Sequence, residues 1–175
     1  MSAPATLVLG GQRSGKSRYA ESLVESQPGA CVYLATAEPH DGEMARRIAE
    51  HQARRGERWS TVEAPLDLPG ALASAAAPGR TVLVDCLTLW LSNLLGHDRD
   101  VAVERARLCD TLAALAGPAV LVSNEVGQGV IPENKLARAF VDQAGRLHQA
   151  VAAVAGRVVF VTAGLPQTLK DIPHT

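Results

Sequence analysis

The chain has 175 residues, 47% of them hydrophobic, and a formal net charge of −1. That length and apolar content suffice for one domain with a substantial core and exclude a disordered chain. The near-neutral balance excludes a global electrostatic pull towards nucleic acid or an anionic membrane, so any basic surface is local, and Arg46, Arg47, Arg54, Arg55 and Arg58 are the obvious cluster.

The N-terminus lacks the charged start and long apolar run of a signal peptide. The first apolar run is "TLVLG" at 6–10. It leads straight into "GGQRSGKS", Gly10 to Ser17, which satisfies GxxxxGK[ST] at every fixed position and opens a helix over 16–26. Each part has a physical task. The glycines let the backbone curl until successive N–H groups face a phosphate, and the helix N-terminus adds its positive end. In this motif Lys16 reaches the β- and γ-phosphates and the Ser17 hydroxyl holds Mg²⁺.

"CVYLAT" at 31–36 predicts the next strand, and 42–55 the next helix. There Met44, Ile48, His51 and Arg55 share one stripe, while Arg47, His51, Arg54 and Arg58 share its neighbour. His51 thus sits where an apolar face meets a basic one. Two readings stay open: a partly buried histidine at a helix–sheet contact, or an imidazole that acts as general base or nucleophile on a phosphate. Flanking arginines would lower its pKa and stabilise charge developing on phosphorus.

"WSTVEAP" at 59–65 predicts either a short strand or a linking loop, and 67–77 a helix that ends before Pro78 and Gly79. "TVLVDC" at 81–86 predicts a strand that ends on Asp85. That carboxylate either stands beside the metal or caps the following helix, "LTLWLSNLL". The apolar stretch 86–95 is too short and too polar to span a bilayer. A helix over 100–116, a strand "AVLVSN" at 119–124, a helix over 135–155 and a last strand "VVFVT" at 158–162 complete the chain. Glu125 is a second strand-end carboxylate, in a loop with Gly127, Gly129 and Pro132 that suits a functional role at the sheet edge. Cys31, Cys86 and Cys109 are an odd number without metal-ligand spacing, which predicts buried free thiols in a reducing cytoplasm.

The apolar runs are nearly continuous in Val and Leu, as strands buried on both faces are, and they alternate with helices. This predicts a single α/β P-loop domain over 1–175, a mostly parallel sheet between helical layers. Among P-loop classes, a GTP switch is disfavoured because "NKLA" (134–137) lacks the Asp of its guanine-reading signature. An ATPase motor lacks an evident extra domain. A small-molecule kinase or nucleotidyltransferase fits the size.

The stretches "LVLGGQRSGKSRYAE", "YLATAE", "DGEMARRIAEHQARR", "VDCLTLWLSNLL" and "VSNEVGQGVIPENKLARAFVDQAGRLHQ" run through nearly the whole chain. On them the sequence resembles the bifunctional adenosylcobinamide kinase / adenosylcobinamide-phosphate guanylyltransferase family of cobalamin biosynthesis. The resemblance implies a RecA-like fold and propeller-shaped homotrimers. It implies phosphorylation of adenosylcobinamide by ATP or GTP, then transfer of GMP from GTP to adenosylcobinamide phosphate through a GMP-histidine. The family's histidine matches His51, and where some relatives carry a second histidine this chain has Glu50. Nucleotide contacts carried over are Gly10, Gly11, Gln12, Arg13, Ser14, Gly15, Lys16 and Ser17, the strand end Ala35, Thr36 and Ala37, then Gln52, Ala53, Arg54, Arg55, Glu63 and Asp85. Ser17 and Asp85 are the implied metal ligands. Some relatives carry Glu in place of Asp85, which keeps the carboxylate.

Overall fold

A computed structural model describes residues 5–38 and 56–172, and the statements below concern those residues. The expected helix over 42–55, with His51, lies outside them. The apolar runs become β1 (Ala5–Gly10), β2 (Ala30–Ala35), β3 (Trp59–Glu63), β4 (Arg80–Asp85), β5 (Ala119–Asn124) and β6 (Arg157–Thr162), joined by β7 (Leu165–Asp171). The helices are α1 (Lys16–Glu25), α2 (Leu68–Ala75), α3 (Leu87–Gly96), α4 (Val101–Ala113) and α5 (Lys135–Val154). One seven-stranded sheet has the order β3-β2-β4-β5-β1-β6-β7. All of its pairings are parallel except β6 with β7.

Successive strand residues point to opposite faces, and both faces are covered, which is why the runs do not alternate. On one face Leu7, Leu34, Val84 and Leu121 pack with Leu72, Trp90, Leu108 and Leu147 from α2 to α5. On the other, Val8, Leu83, Val122 and Val159 pack with Ala20 and Val24 of α1. The result is three layers. No helix of the described residues is long and apolar enough to cross a membrane.

The structure resolves the ambiguity at 59–65 in favour of a strand, β3, which pairs with β2 at the sheet edge. It also adds β7, which the sequence pattern does not announce. A two-residue turn reverses the chain after β6, with Ala163 (φ 52°) and Gly164 (φ 78°) both left-handed, the hairpin geometry that matches strand twist. Pro166 is tolerated because β7 is an edge strand. The thiols differ from expectation in one respect: all three are free, and Cys31 and Cys86 are buried, but Cys109 is only half-buried.

Helix ends follow their sequences. Asp67, Asp100 and Asn134 cap α2, α4 and α5 with side-chain oxygens. Arg58, grouped by sequence with the basic cluster, instead binds the carbonyls of Glu25, Gln27 and Gly29 where α1 runs into β2.

Candidate active site at the carboxyl edge of the sheet

The parallel register aligns the strand ends. Gly10 pairs with Asn124 on one side and Val161 on the other, Asp85 pairs with Val122, and Ala35 pairs with both Asp85 and Glu63. Strand β5 therefore separates the phosphate loop on β1 from Asp85 on β4.

The loop from Gly10 to Ser17 turns through two left-handed residues, Arg13 (φ 54°) and Gly15 (φ 93°). Gly10 is required by close approach: a Cβ there would collide with Ser14 Oγ and lie 2.7 Å from Val161 O. Gly164 N–H donates to Ser14 O at 2.7 Å, so the hairpin turn braces the loop. Unlike α2, α4 and α5, helix α1 has no side-chain cap, and its first turn has no acidic residue. Its first N–H groups are left for a ligand, and its dipole end carries positive charge. Ser14 Oγ is buried without a protein partner. These features fit a phosphate group cradled by Gly11, Gln12, Arg13 and Ser14.

Lys16 is buried and its ammonium donates to Gly11 O at 3.0 Å. Burial lowers its pKa, opposed by the neighbouring acidic groups Cys86 and Asp85. Ser17 follows in the first turn of α1, and Asp85 ends β4. The alternative role of Asp85 as helix cap is not the one observed, because the N-cap position of α3 belongs to Cys86. The peptide bond between Asp85 and Cys86 is cis. No cluster of three metal-ligating side chains exists among the described residues. That donor set suits Mg²⁺ shared with substrate phosphates, which needs only one or two protein ligands.

Thr36 occupies the middle of the site but turns inward. Fully buried, its hydroxyl donates to Cys86 O and accepts from Cys86 N–H, each at 2.8 Å. Asn93 of α3 donates to Thr36 O at 2.7 Å and to Pro65 O at 2.9 Å. These bonds lock the ends of β2 and β4 and the segment after β3 together. Ala35 is buried and Ala37 is half-exposed. Ala37 borders a pocket of about 300 Å³ with Glu38, Leu89, Asn93 and His97, where His97 Nε2 lies 3.0 Å from Glu38 Oε1. Glu63 is exposed on edge strand β3 and borders a different pocket. Gln52, Ala53, Arg54 and Arg55, like His51, lie outside the described residues. Another cavity, of about 340 Å³, opens at the opposite edge of the sheet among Ala5, Thr81 and Pro118, and holds none of these residues.

The sequence reading missed Asn93, His148 and Ser123. His148 Nε2 lies 2.7 Å from Ser123 Oγ, both buried, and its Nδ1 lies 3.7 Å from Glu125 Oε2. A signal existed. His148 falls on the buried stripe of α5 with Ala144, Leu147 and Val151, and a polar residue on such a stripe needs a partner.

The model of the family described as cobinamide kinase / cobinamide phosphate guanyltransferase matches residues 6–169. The chain belongs to that family. It is similar to the bifunctional adenosylcobalamin biosynthesis protein CobP of Pseudomonas aeruginosa, with 54% identity covering 95% of this chain and 98% of that one. It is 41% identical to the bifunctional adenosylcobalamin biosynthesis protein CobU of Escherichia coli, over 94% of this chain and 98% of that one. Among solved structures, the fold resembles a type III secretion ATPase (TM-score 0.56, 11% identity, 94% of this chain and 56% of that one). It also resembles the P4 protein of bacteriophage phi6 in complex with ADP (TM-score 0.53, 16% identity, 93% and 52%). These distant likenesses show the fold alone, a three-layer RecA-like P-loop α/β architecture.

Proposed function

We propose that this cobinamide kinase / guanyltransferase family member phosphorylates adenosylcobinamide with ATP or GTP. It then transfers GMP from GTP to adenosylcobinamide phosphate, giving adenosylcobinamide-GDP and pyrophosphate. The observation that carries the reading is the phosphate loop seated between β1 and an uncapped α1, within a chain 54% identical to a bifunctional relative.

In the first reaction Lys16 and the loop N–H groups hold the triphosphate, and Ser17 and Asp85 would hold Mg²⁺, which would supply positive charge to the reacting phosphates. In the second, a His51 ring nitrogen attacks the α-phosphorus and pyrophosphate leaves. The phosphate oxygen of adenosylcobinamide phosphate then displaces the imidazole and takes the GMP. Ala35, Thr36, Ala37, Gln52, Ala53, Arg54, Arg55 and Glu63 form the remainder of the nucleotide site, with the Thr36 hydroxyl held by Cys86 so that it shapes the site from behind. The reading treats 1–175 as one domain, working as a cytoplasmic homotrimer.

The test is phosphate transfer from γ-labelled ATP or GTP to adenosylcobinamide by the purified protein. Labelled adenosylcobinamide phosphate is expected, and its loss in Lys16→Ala. No labelled product from the wild-type protein, or undiminished product from the variant, contradicts the reading.

A further inference from the structure

Glu125 stands one residue beyond β5, the strand between the phosphate loop and Asp85. Its N–H donates to Gly10 O at 2.9 Å, which ties it to the start of the loop. Its carboxylate accepts one hydrogen bond and faces an imidazole. Oε1 accepts from Gly127 N–H at 2.6 Å, and Oε2 lies 3.7 Å from His148 Nδ1. Behind it the imidazole is 7% exposed, and its Nε2 sits 2.7 Å from the fully buried Ser123 Oγ. One tautomer suits this arrangement: the serine hydroxyl donates to Nε2, and Nδ1–H faces the carboxylate at ion-pair distance.

Burying an imidazole and a hydroxyl in a sheet–helix contact costs free energy that an apolar pair would not. Here both are spent on the orientation of one carboxylate. The Glu125 side chain is 21% exposed. It opens on a pocket of about 340 Å³ that it shares with Gly11, Gln128, Gly129 and Phe160. Of the strand-end carboxylates described, Asp85 is the candidate metal ligand. Glu63 sits on β3, with β2, β4 and β5 between it and the phosphate loop. Glu125 borders a pocket with Gly11 of the loop.

We propose that Glu125 takes the proton from the acceptor hydroxyl during phosphoryl transfer, with His148 and Ser123 as positioning residues behind it; this rests on the kinase reading above. As the hydroxyl oxygen bonds to the γ-phosphorus, its proton passes to a Glu125 carboxylate oxygen. The bond from the γ-phosphorus to the oxygen bridging to the β-phosphate breaks, and the nucleoside diphosphate leaves with the electron pair. The proton then goes to water through the exposed side of the carboxyl group.

The experiment compares phosphoryl transfer to adenosylcobinamide with protein labelling by α-labelled GTP, a step that involves no acceptor hydroxyl. Glu125→Gln, which keeps an acceptor for Gly127 N–H, is expected to lower kcat of phosphoryl transfer by about 100-fold or more, with nucleotide KM changed by less than about threefold and labelling retained. His148→Leu is expected to lower kcat by about tenfold at unchanged KM, and His148→Asn, whose amide nitrogen stands near the Nδ1 position, to restore most of it. If His148→Leu does not fold, Ser123→Ala serves the same arm, with an expected kcat loss of about threefold to tenfold. Wild-type kcat in Glu125→Gln overturns the proposal while leaving the kinase reading intact. No transfer by the wild-type protein overturns both. An Asn variant no better than Leu overturns the positioning role of His148.

Discussion

Thr36→Val isolates the clasp that fixes the end of β4. Valine replaces the hydroxyl with a methyl group of nearly the same volume, so no cavity opens. Thr36 is fully buried, and the change removes both 2.8 Å bonds to Cys86. Cys86 O keeps the N–H of Trp90 at 3.1 Å, so the main casualty is Cys86 N–H. One lost net hydrogen bond costs about 1 kcal/mol, and a buried orphan donor adds roughly 1–3 kcal/mol, for a total of about 2–4 kcal/mol. For a chain of this size that lowers Tm by about 4–16 °C. Urea titration should show a lower midpoint at unchanged slope. Thr36→Ser, which keeps the hydroxyl, should lose only about 1 kcal/mol, the worth of the buried methyl. A valine variant within about 0.5 kcal/mol of wild type, the range of a neutral surface change, refutes the clasp.

Gly10→Ala drives a Cβ to 2.7 Å from Val161 O, a backbone atom that cannot swing aside; calorimetric titration with GTP should show at least about tenfold weaker binding, equivalent to about 1.4 kcal/mol. Arg58→Ala removes the cation that gathers three carbonyls at the end of α1, and because the site is exposed the loss should be about 1 kcal/mol in urea unfolding. Burial holds the His148 pKa below the ordinary value, with Glu125 opposing. The unfolded chain therefore binds a proton that the native one refuses, so this contribution is full above about pH 6.5 and declines as pH falls towards the lower native pKa, by at most about 1.4 kcal/mol per pH unit. Stability measured from pH 7.5 to 5 should show that component in the wild type and lose it in His148→Asn.

The phosphate loop was legible because its chemistry is local: spacing, strand before and helix after all lie within one stretch from Ala5 to Glu25. The parallel strands were legible because burial on both faces writes continuous apolar runs. Strand β7 was not, since "LPQTLKD" is exposed at an edge and depends on backbone pairing after a left-handed turn that Ala163 does not advertise. The role of Arg58 was hidden for a related reason: its place in the sequence says nothing of the carbonyls of Glu25, Gln27 and Gly29 that lie beside it in space. Asp85 and Glu125 were visible as strand ends. That Glu125 shares a pocket with Gly11 of the loop depends on the strand order, and that order is a tertiary fact. Thr36 likewise looked like part of a contact stretch, and only the β2–β4 pairing shows its hydroxyl committed to Cys86.

In the proposed function one nucleotide site serves two transfers, the second through His51. The direct measurement is incubation of the protein with α-labelled GTP, followed by acid and base treatment of the protein. An acid-labile, base-stable label is expected, present in the wild type and absent in His51→Ala. Label that persists in His51→Ala, or a wild-type protein that guanylylates adenosylcobinamide phosphate without ever carrying label, contradicts it.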